Sequence, residues 1–433
     1  KRAVTWPFIF YTIIWTLSGK MGISISKEKF FYSSGLILLI IYYILFPSSE
    51  ITSKLEAVSS ILLSLILVFK SRNSIPLMVA MLFLSYCIYS ISVGEYLVGG
   101  PLGIPLTEVK NFHIYDLTLR IVLLFMATLA AFFPKVMEIN PPKPKDNVVI
   151  FYILIIILVY IGIYGIDRTF SNQYTVNISP MYEYSVLLFL FGYFSSADKF
   201  FRKMILVLIM AIYIFQDYYY GGRITSLQII ILAISTIFYD ALNKKTALLL
   251  TIGGVFVNSL IGAYRTSFSL YGFSIWHVLL SLKDRLLVFD TPVYAYYASA
   301  THVASTELIN IPFRERIISF FNFVVSIFGG GNNNSGNVTK YVSENYFINV
   351  GGGLFPTHFY FWFGWFGVIM AALVVCFIFR KICTKNSDLY SLTAVIVIST
   401  IPRWFLYNPL TLFRMIFFVC VLYIIFTYGN RFI

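Results

Sequence analysis

The feature that most constrains this chain is a succession of apolar runs, many of them about as long as a helix that crosses a bilayer. A hydrocarbon core about 30 Å thick is spanned by about 20 helical residues, and without water every backbone polar group must pair within its own segment. Such runs lie near 6–17, 30–47, 55–69, 75–93, 113–133, 148–166, 181–195, 204–219, 224–241, 246–264, 359–379, 389–407 and 411–429. They predict an all-α polytopic membrane protein with about 12–14 transmembrane helices, the shorter runs leaving the number open by one or two. Composition agrees, because the chain is 59% hydrophobic and 12% charged, whereas a soluble globule carries about 25% charged residues.

The runs divide the chain into residues 1–264 with about ten spans, a large loop over 265–358 that holds short helices, and residues 359–433 with about three spans. The segment PKVMEINPPKPKDN (134–147) reads as a linker, since its prolines disfavour helix and its lysines prefer water. Short loops rich in lysine and arginine stay cytoplasmic. GKMGISISKEK, KSRN, the PKPK linker, ADKFFRK, NKK and RKICTK all alternate onto one side. The 265–358 loop then faces outward, which in a bacterium is the periplasmic side of the inner membrane. No cleavable signal peptide is evident, because the apolar run after Lys1-Arg2 is followed by equally apolar segments and no small-residue cleavage site. Cys87, Cys376, Cys383 and Cys420 show no CxxC spacing, and three of them sit in apolar runs. No disulfide framework is expected.

Under this topology the two cations distribute in opposite ways. Thirteen of 18 lysines fall inside, whereas ten of 14 arginines fall outside or at outer helix ends. The outward set is Arg2, Arg120, Arg168, Arg223, Arg265, Arg285, Arg314, Arg316, Arg403 and Arg414. A guanidinium fork matches phosphate oxygens two at a time and stays charged, so the set suits an anionic ligand. The competing reading is that these arginines snorkel or pair with carboxylates.

Arg223 closes DYYYGGR ahead of the helix ITSLQIIILAIST, and Arg265 ends the next outward helix in IGAYRTSF. Arg403 in TIPRWFLYNPL and Arg414 in TLFRMIFF bracket the last outer turn, where Pro402 and Pro409 interrupt regular helix. These four form a candidate anion-binding set, with pairing to Asp217 or Asp290 the alternative for Arg414. Asp116 and Arg120 stand four apart on one helix, the spacing of an intrahelical ion pair. His113, His277, His302 and His358 show no HxH or HxxxH spacing, so neither a metal site nor a cofactor is expected. Glu344 in KYVSENYF is the first candidate for a general base and His358 the second. Outward aromatics such as those of VGGGLFPTHFYFWFGWFG (350–367) suit either an interfacial belt or stacking on sugar rings.

GGR followed by ITSLQ, the later ENYF, GGGLFPTHFYFWFGWFG and PRWFLYNPL together resemble the Wzy-type O-antigen or capsular repeat-unit polymerases, over about 215–415. The resemblance implies a metal-independent glycosyltransferase of the glycosyltransferase C type. It would move a growing glycan from undecaprenyl diphosphate onto the non-reducing end of an undecaprenyl-diphosphate-linked repeat unit at the outer leaflet. Arg223, Arg265, Arg403 and, less closely, Arg414 match the family's arginines. Lipid-linked oligosaccharides, membrane lipids and a polysaccharide chain-length regulator are the partners it implies, and nucleic acid is not among them. An O-antigen ligase acting on lipid A core and a lipid-linked oligosaccharide flippase remain open as alternatives.

Overall fold

The computed structural model describes residues 35, 39, 42, 47–95, 98–104, 106–134, 138–166, 179–220, 222–271, 274–285, 287–329, 336–348, 351–384 and 387–429. The span expected at 6–17 and most of that at 30–47 therefore lie outside the described residues, as do Arg2 and Arg168.

Helix α1 (Glu50–Ser71) starts where Ser49 and Thr52 cap one another. The Thr52 amide donates to Ser49 Oγ at 3.2 Å, and the Ser49 amide donates to Thr52 Oγ1 at 2.9 Å. That reciprocal pair satisfies two of the amides a helix start leaves open. Helix α2 (Ile75–Val93) has proline in its first turn and ends at Gly94, whose φ of 72° suits glycine. Helix α3 (Phe112–Phe132) follows Asn111, which adopts a left-handed φ of 66°. Helix α4 (Val148–Tyr164) is capped by Asn147, whose Oδ1 accepts from the Ile150 amide at 2.9 Å. The prolines and lysines just before it, over 138–147, are not helical, as a linker requires.

Helices α5 (Pro180–Phe194) and α6 (Phe200–Tyr219) lead to α7 (Ile224–Ser235), α8 (Lys244–Tyr271) and α9 (Ile275–Arg285). Then come α10 (Asp290–Glu307), α11 (Phe313–Ile327), α12 (Val338–Asn345) and α13 (Phe355–Thr384). The series closes with α14 (Asp388–Ser399), α15 (Ile401–Leu406) and α16 (Leu410–Gly429). No strand occurs among the described residues. Six helices are long and apolar enough to cross a membrane, namely α1, α2, α3, α8, α13 and α16, while α4, α7 and α14 are shorter apolar helices. The chain is thus an all-α, multi-pass membrane protein.

The centre of the bundle is α2 and α3, whose apolar windows are 78% and 89% buried, whereas α8 and α16 bury only 28% and 22% of theirs. Helix α13 packs along α3, and α10 packs against α2, α3 and α13. Residues 265–358 hold α9 to α12, of which α10 is a core element whose Val293, Tyr296, Ala298 and Val303 are fully buried. Helix α8 also continues past residue 264 to Tyr271.

Two expected spans are broken. The run 224–241 is helical only to Ser235, and 389–407 divides into α14 and α15 at Thr400, just ahead of Pro402. Twelve helical residues rise about 18 Å, short of a core about 30 Å thick. Hydropathy averages composition across such a break, so it reads one continuous run. Helix α13 bends at Gly364, where φ is 61° and ψ is −147°.

Candidate functional site

The broken helix α7 begins at a polar knot. Asp217, one turn before the end of α6, accepts from the Ser226 amide at 2.8 Å and from Ser226 Oγ at 2.7 Å. A carboxylate there caps open amides at the positive end of the helix dipole. A Cβ on Gly222 would lie 2.1 Å from Asp217 Oδ1, so only glycine admits the carboxylate.

Arg223, the next residue, is buried. Its guanidinium pairs with Asp290 at the start of α10, lies 3.4 Å from Thr291 Oγ1, and sits 5.1 Å above the Phe289 ring. Gly262 of α8 leaves room for it, since a Cβ there would meet Arg223 Nη1 at 3.1 Å. Arg265 follows Gly262 by three residues on the same helix, which brings its backbone one turn from that contact. Its side chain lies outside the described residues.

Arg403 on α15 pairs with Glu183 of α5 and lies 4.6 Å from the centre of the Tyr407 ring. Here both partners are about one quarter exposed, at 25% and 26%. Arg414 on α16 reaches Tyr184 Oη at 3.3 Å and donates to the Ser326 carbonyl at the end of α11. Its Nε is buried without a hydrogen-bond partner. Arg414 therefore holds neither Asp217 nor Asp290, which are engaged by Ser226 and Arg223.

Three of the four expected arginines thus converge. Arg403 and Arg414 hold the neighbouring residues Glu183 and Tyr184 of α5, and both Arg223 and Arg403 act electrostatically on Asp217. Pairing with carboxylates, the competing reading of outward arginines, describes Arg223 and Arg403 directly. The two pairs differ in access: Arg223–Asp290 is closed, and Arg403–Glu183 opens to the surroundings. An anionic group can exchange with Glu183 on Arg403 without first unpacking the core.

His358, in the first turn of α13, is buried with Nε2 at 3.2 Å from the Gly353 carbonyl. It also hydrogen-bonds the backbone of Tyr407, the residue beneath Arg403, so it adjoins the arginine cluster. Its ring meets that of His302 edge to face at 4.8 Å. His302 was not singled out by sequence as a site residue. Its Nε2 lies 3.1 Å from Thr339 Oγ1 and its Nδ1 lies 3.4 Å from Thr357 Oγ1. Burial, followed by the neighbouring His358, holds its imidazole well below the ordinary histidine value. A repeated Thr-His dipeptide, Thr301-His302 and Thr357-His358, is the sequence signal that connects the two rings.

Glu344 lies on α12, the helix whose Thr339 meets His302. It lies on the exposed side of α12, 43% exposed, with Lys340 Nζ 3.8 Å away. Among the described residues, no group of three or more His, Cys, Asp or Glu side chains could hold a metal ion.

Comparison with protein-family models, with curated proteins and with solved structures finds no match.

Proposed function

We propose that this protein is a polymerase of O-antigen or a related surface polysaccharide, acting in the bacterial inner membrane on undecaprenyl-diphosphate-linked oligosaccharides. The observation that carries the reading is the convergence of Arg223, Arg403 and Arg414 from α7, α15 and α16, with Arg403 accessible beside its carboxylate. An acceptor sugar hydroxyl attacks the anomeric carbon of the growing glycan. The bond to the lipid diphosphate breaks, the electron pair and negative charge go to the diphosphate, and the hydroxyl proton goes to a base. Guanidinium groups fixed in a low-dielectric site stabilise that departing charge. Arg403 and Arg414 hold the diphosphate, with Arg265 on the next face, while Arg223 fixes the start of α7. Glu344 is the first candidate base because an exposed carboxylate can meet a hydroxyl, and His358 is the second because it adjoins Tyr407. A chain-length regulator would act beside it, and no nucleotide or metal is required.

A second reading, a lipid-linked oligosaccharide flippase, draws on α7 and α14, which at 12 residues each are shorter than a full crossing, as are the discontinuous helices of many transporters. Reconstitution with lipid-linked repeat units alone decides between them. A ladder of longer lipid-linked chains, lost in Arg403→Ala, is expected. Transfer to added lipid A core without a ladder would make the protein a ligase, and transbilayer movement without bond formation a flippase.

A further inference from the structure

A second buried ionic cluster lies away from the arginine site, between α1 and α3. Arg120 Nε is 3.0 Å from Asp116 Oδ2 on its own helix and 3.1 Å from Glu56 Oε1 on α1. The three side chains are 6%, 0% and 2% exposed, and both helices are apolar enough to span a membrane. Asp116 is held twice, since Ser53 Oγ donates to its other oxygen. Glu56 has only the ion-pair contact with Arg120, and both of its carboxylate oxygens are buried without a hydrogen-bond partner among the described residues.

Among the described residues, the charged groups acting on Glu56 are Asp116 and Arg120. The neutral hydroxyls of Ser53, Tyr42 and Tyr296 lie beside the cluster, with Tyr296 Oη donating to the Tyr115 carbonyl at 2.5 Å. Two carboxylates thus face one guanidinium. With both ionised, the cluster would bury a net negative charge and leave an unpaired anionic oxygen in a medium that solvates neither. Like charges sharing one site do not both ionise. Asp116 has the Ser53 hydrogen bond beside its contact with Arg120, whereas Glu56 has the Arg120 contact alone.

We propose that Glu56 is a proton-binding site within the membrane, carried as the neutral acid beside an Asp116–Arg120 ion pair. Release of its proton would place an uncompensated charge between α1 and α3, so occupancy is tied to the contact between those helices. The proposal does not depend on the polymerase reading.

Dicyclohexylcarbodiimide tests it, because this apolar reagent adds across the O–H of a protonated carboxyl and the adduct rearranges to a stable N-acylurea that retains every atom. Membranes containing the full chain are treated and the peptides read by mass spectrometry. Glu56 is expected to label at neutral pH, several-fold less at alkaline pH, and independently of sodium, while exposed Glu344 stays unlabelled. In parallel, Glu56→Gln, which copies a neutral acid, is expected to melt within about 2 °C of wild type, and Asp116→Asn several degrees lower. Absence of Glu56 labelling at every pH, with a reactive control labelled in the same membranes, would overturn the assignment. So would protection by sodium at fixed pH, which would make the ligand a metal cation, or equal destabilisation by the two variants.

Discussion

His302 and His358 face each other edge to face at 4.8 Å, one from α10 and one from α13, with both rings buried. Thr339 and Thr357 hold the first ring, and the Gly353 carbonyl and Tyr407 backbone hold the second. The pair ties a helix of the 265–358 segment to the helix that follows it.

The His302 proton affinity sets a pH window. Burial first and His358 second depress it in the folded chain, so the unfolded chain takes up the proton first. Stability is then complete above the ordinary histidine value of about 6.5 and is lost as pH falls below it. Melting followed by fluorimetry is expected to be flat from neutral to mildly alkaline pH and to decline on acidification. His302→Gln is expected to make that decline shallower.

The glycines beside the pair are predicted to be irreplaceable for different reasons. A Cβ on Gly353 would lie 2.2 Å from His302 Cε1, and one on Gly352 would lie 2.2 Å from the Tyr407 Cα. A side chain can move and a backbone atom cannot do so locally. Gly353→Ala should therefore fold with His302 displaced and its acid-dependent melting altered. Gly352→Ala should lose about 3 kcal/mol or more, the upper end of overpacking costs, seen as loss of the monodisperse peak in detergent chromatography.

The two arginine pairs are predicted to separate stability from activity. Arg223→Ala strands a buried Asp290, a change that costs about 3–5 kcal/mol, and removing Asp290 as well should restore part of it. Arg403 and Glu183 are about one quarter exposed, and an exposed pair is worth about 0–1 kcal/mol. Arg403→Ala should keep the melting temperature and lose the polymer ladder. A double-mutant cycle in melting assays and the reconstituted reaction read the two effects.

The two candidate bases are separable in the same way. Glu344→Gln gives up an i,i+4 contact with Lys340 on an exposed helix face, worth about 0.3–0.5 kcal/mol. It is expected to melt like wild type while turnover falls at every pH. His358→Gln is expected to lower the melting temperature as well. Unchanged turnover in Glu344→Gln across the pH range would remove that residue as the base.

Local relationships were legible in the sequence because helical spacing dictates them. Asp116 and Arg120, four apart, do pair at 3.0 Å. Partners from other helices were not, since helices such as α2 and α4 are apolar on all sides and give no sign of which face meets which. Glu56 therefore joined the Asp116–Arg120 pair unannounced, Glu183 emerged as the partner of Arg403 only when the helices packed, and Asp290, weighed for Arg414, holds Arg223 instead. Cation type and position singled out Arg223, Arg403 and Arg414, but not the residues each one holds. The breaks in α7 and α14 were not legible, because hydropathy does not register whether a helix is continuous.

The ion pairs differ in how long each charge must wait for its partner during synthesis. Asp116 and Arg120 share a helix and are neutralised as it forms. Arg223 precedes Asp290 by 67 residues, about 3 to 13 s at about 5 to 20 residues per second. Glu183 precedes Arg403 by 220 residues, about 11 to 44 s at the same pace. Over those intervals Arg223 and Glu183 lack the partners they hold in the folded chain, so the contacts of α7 and α5 with the later helices wait for the C-terminal half to be made. A ribosome stalled after α9 would thus leave an integrated but unlocked bundle, with Arg223 not yet joined to α10.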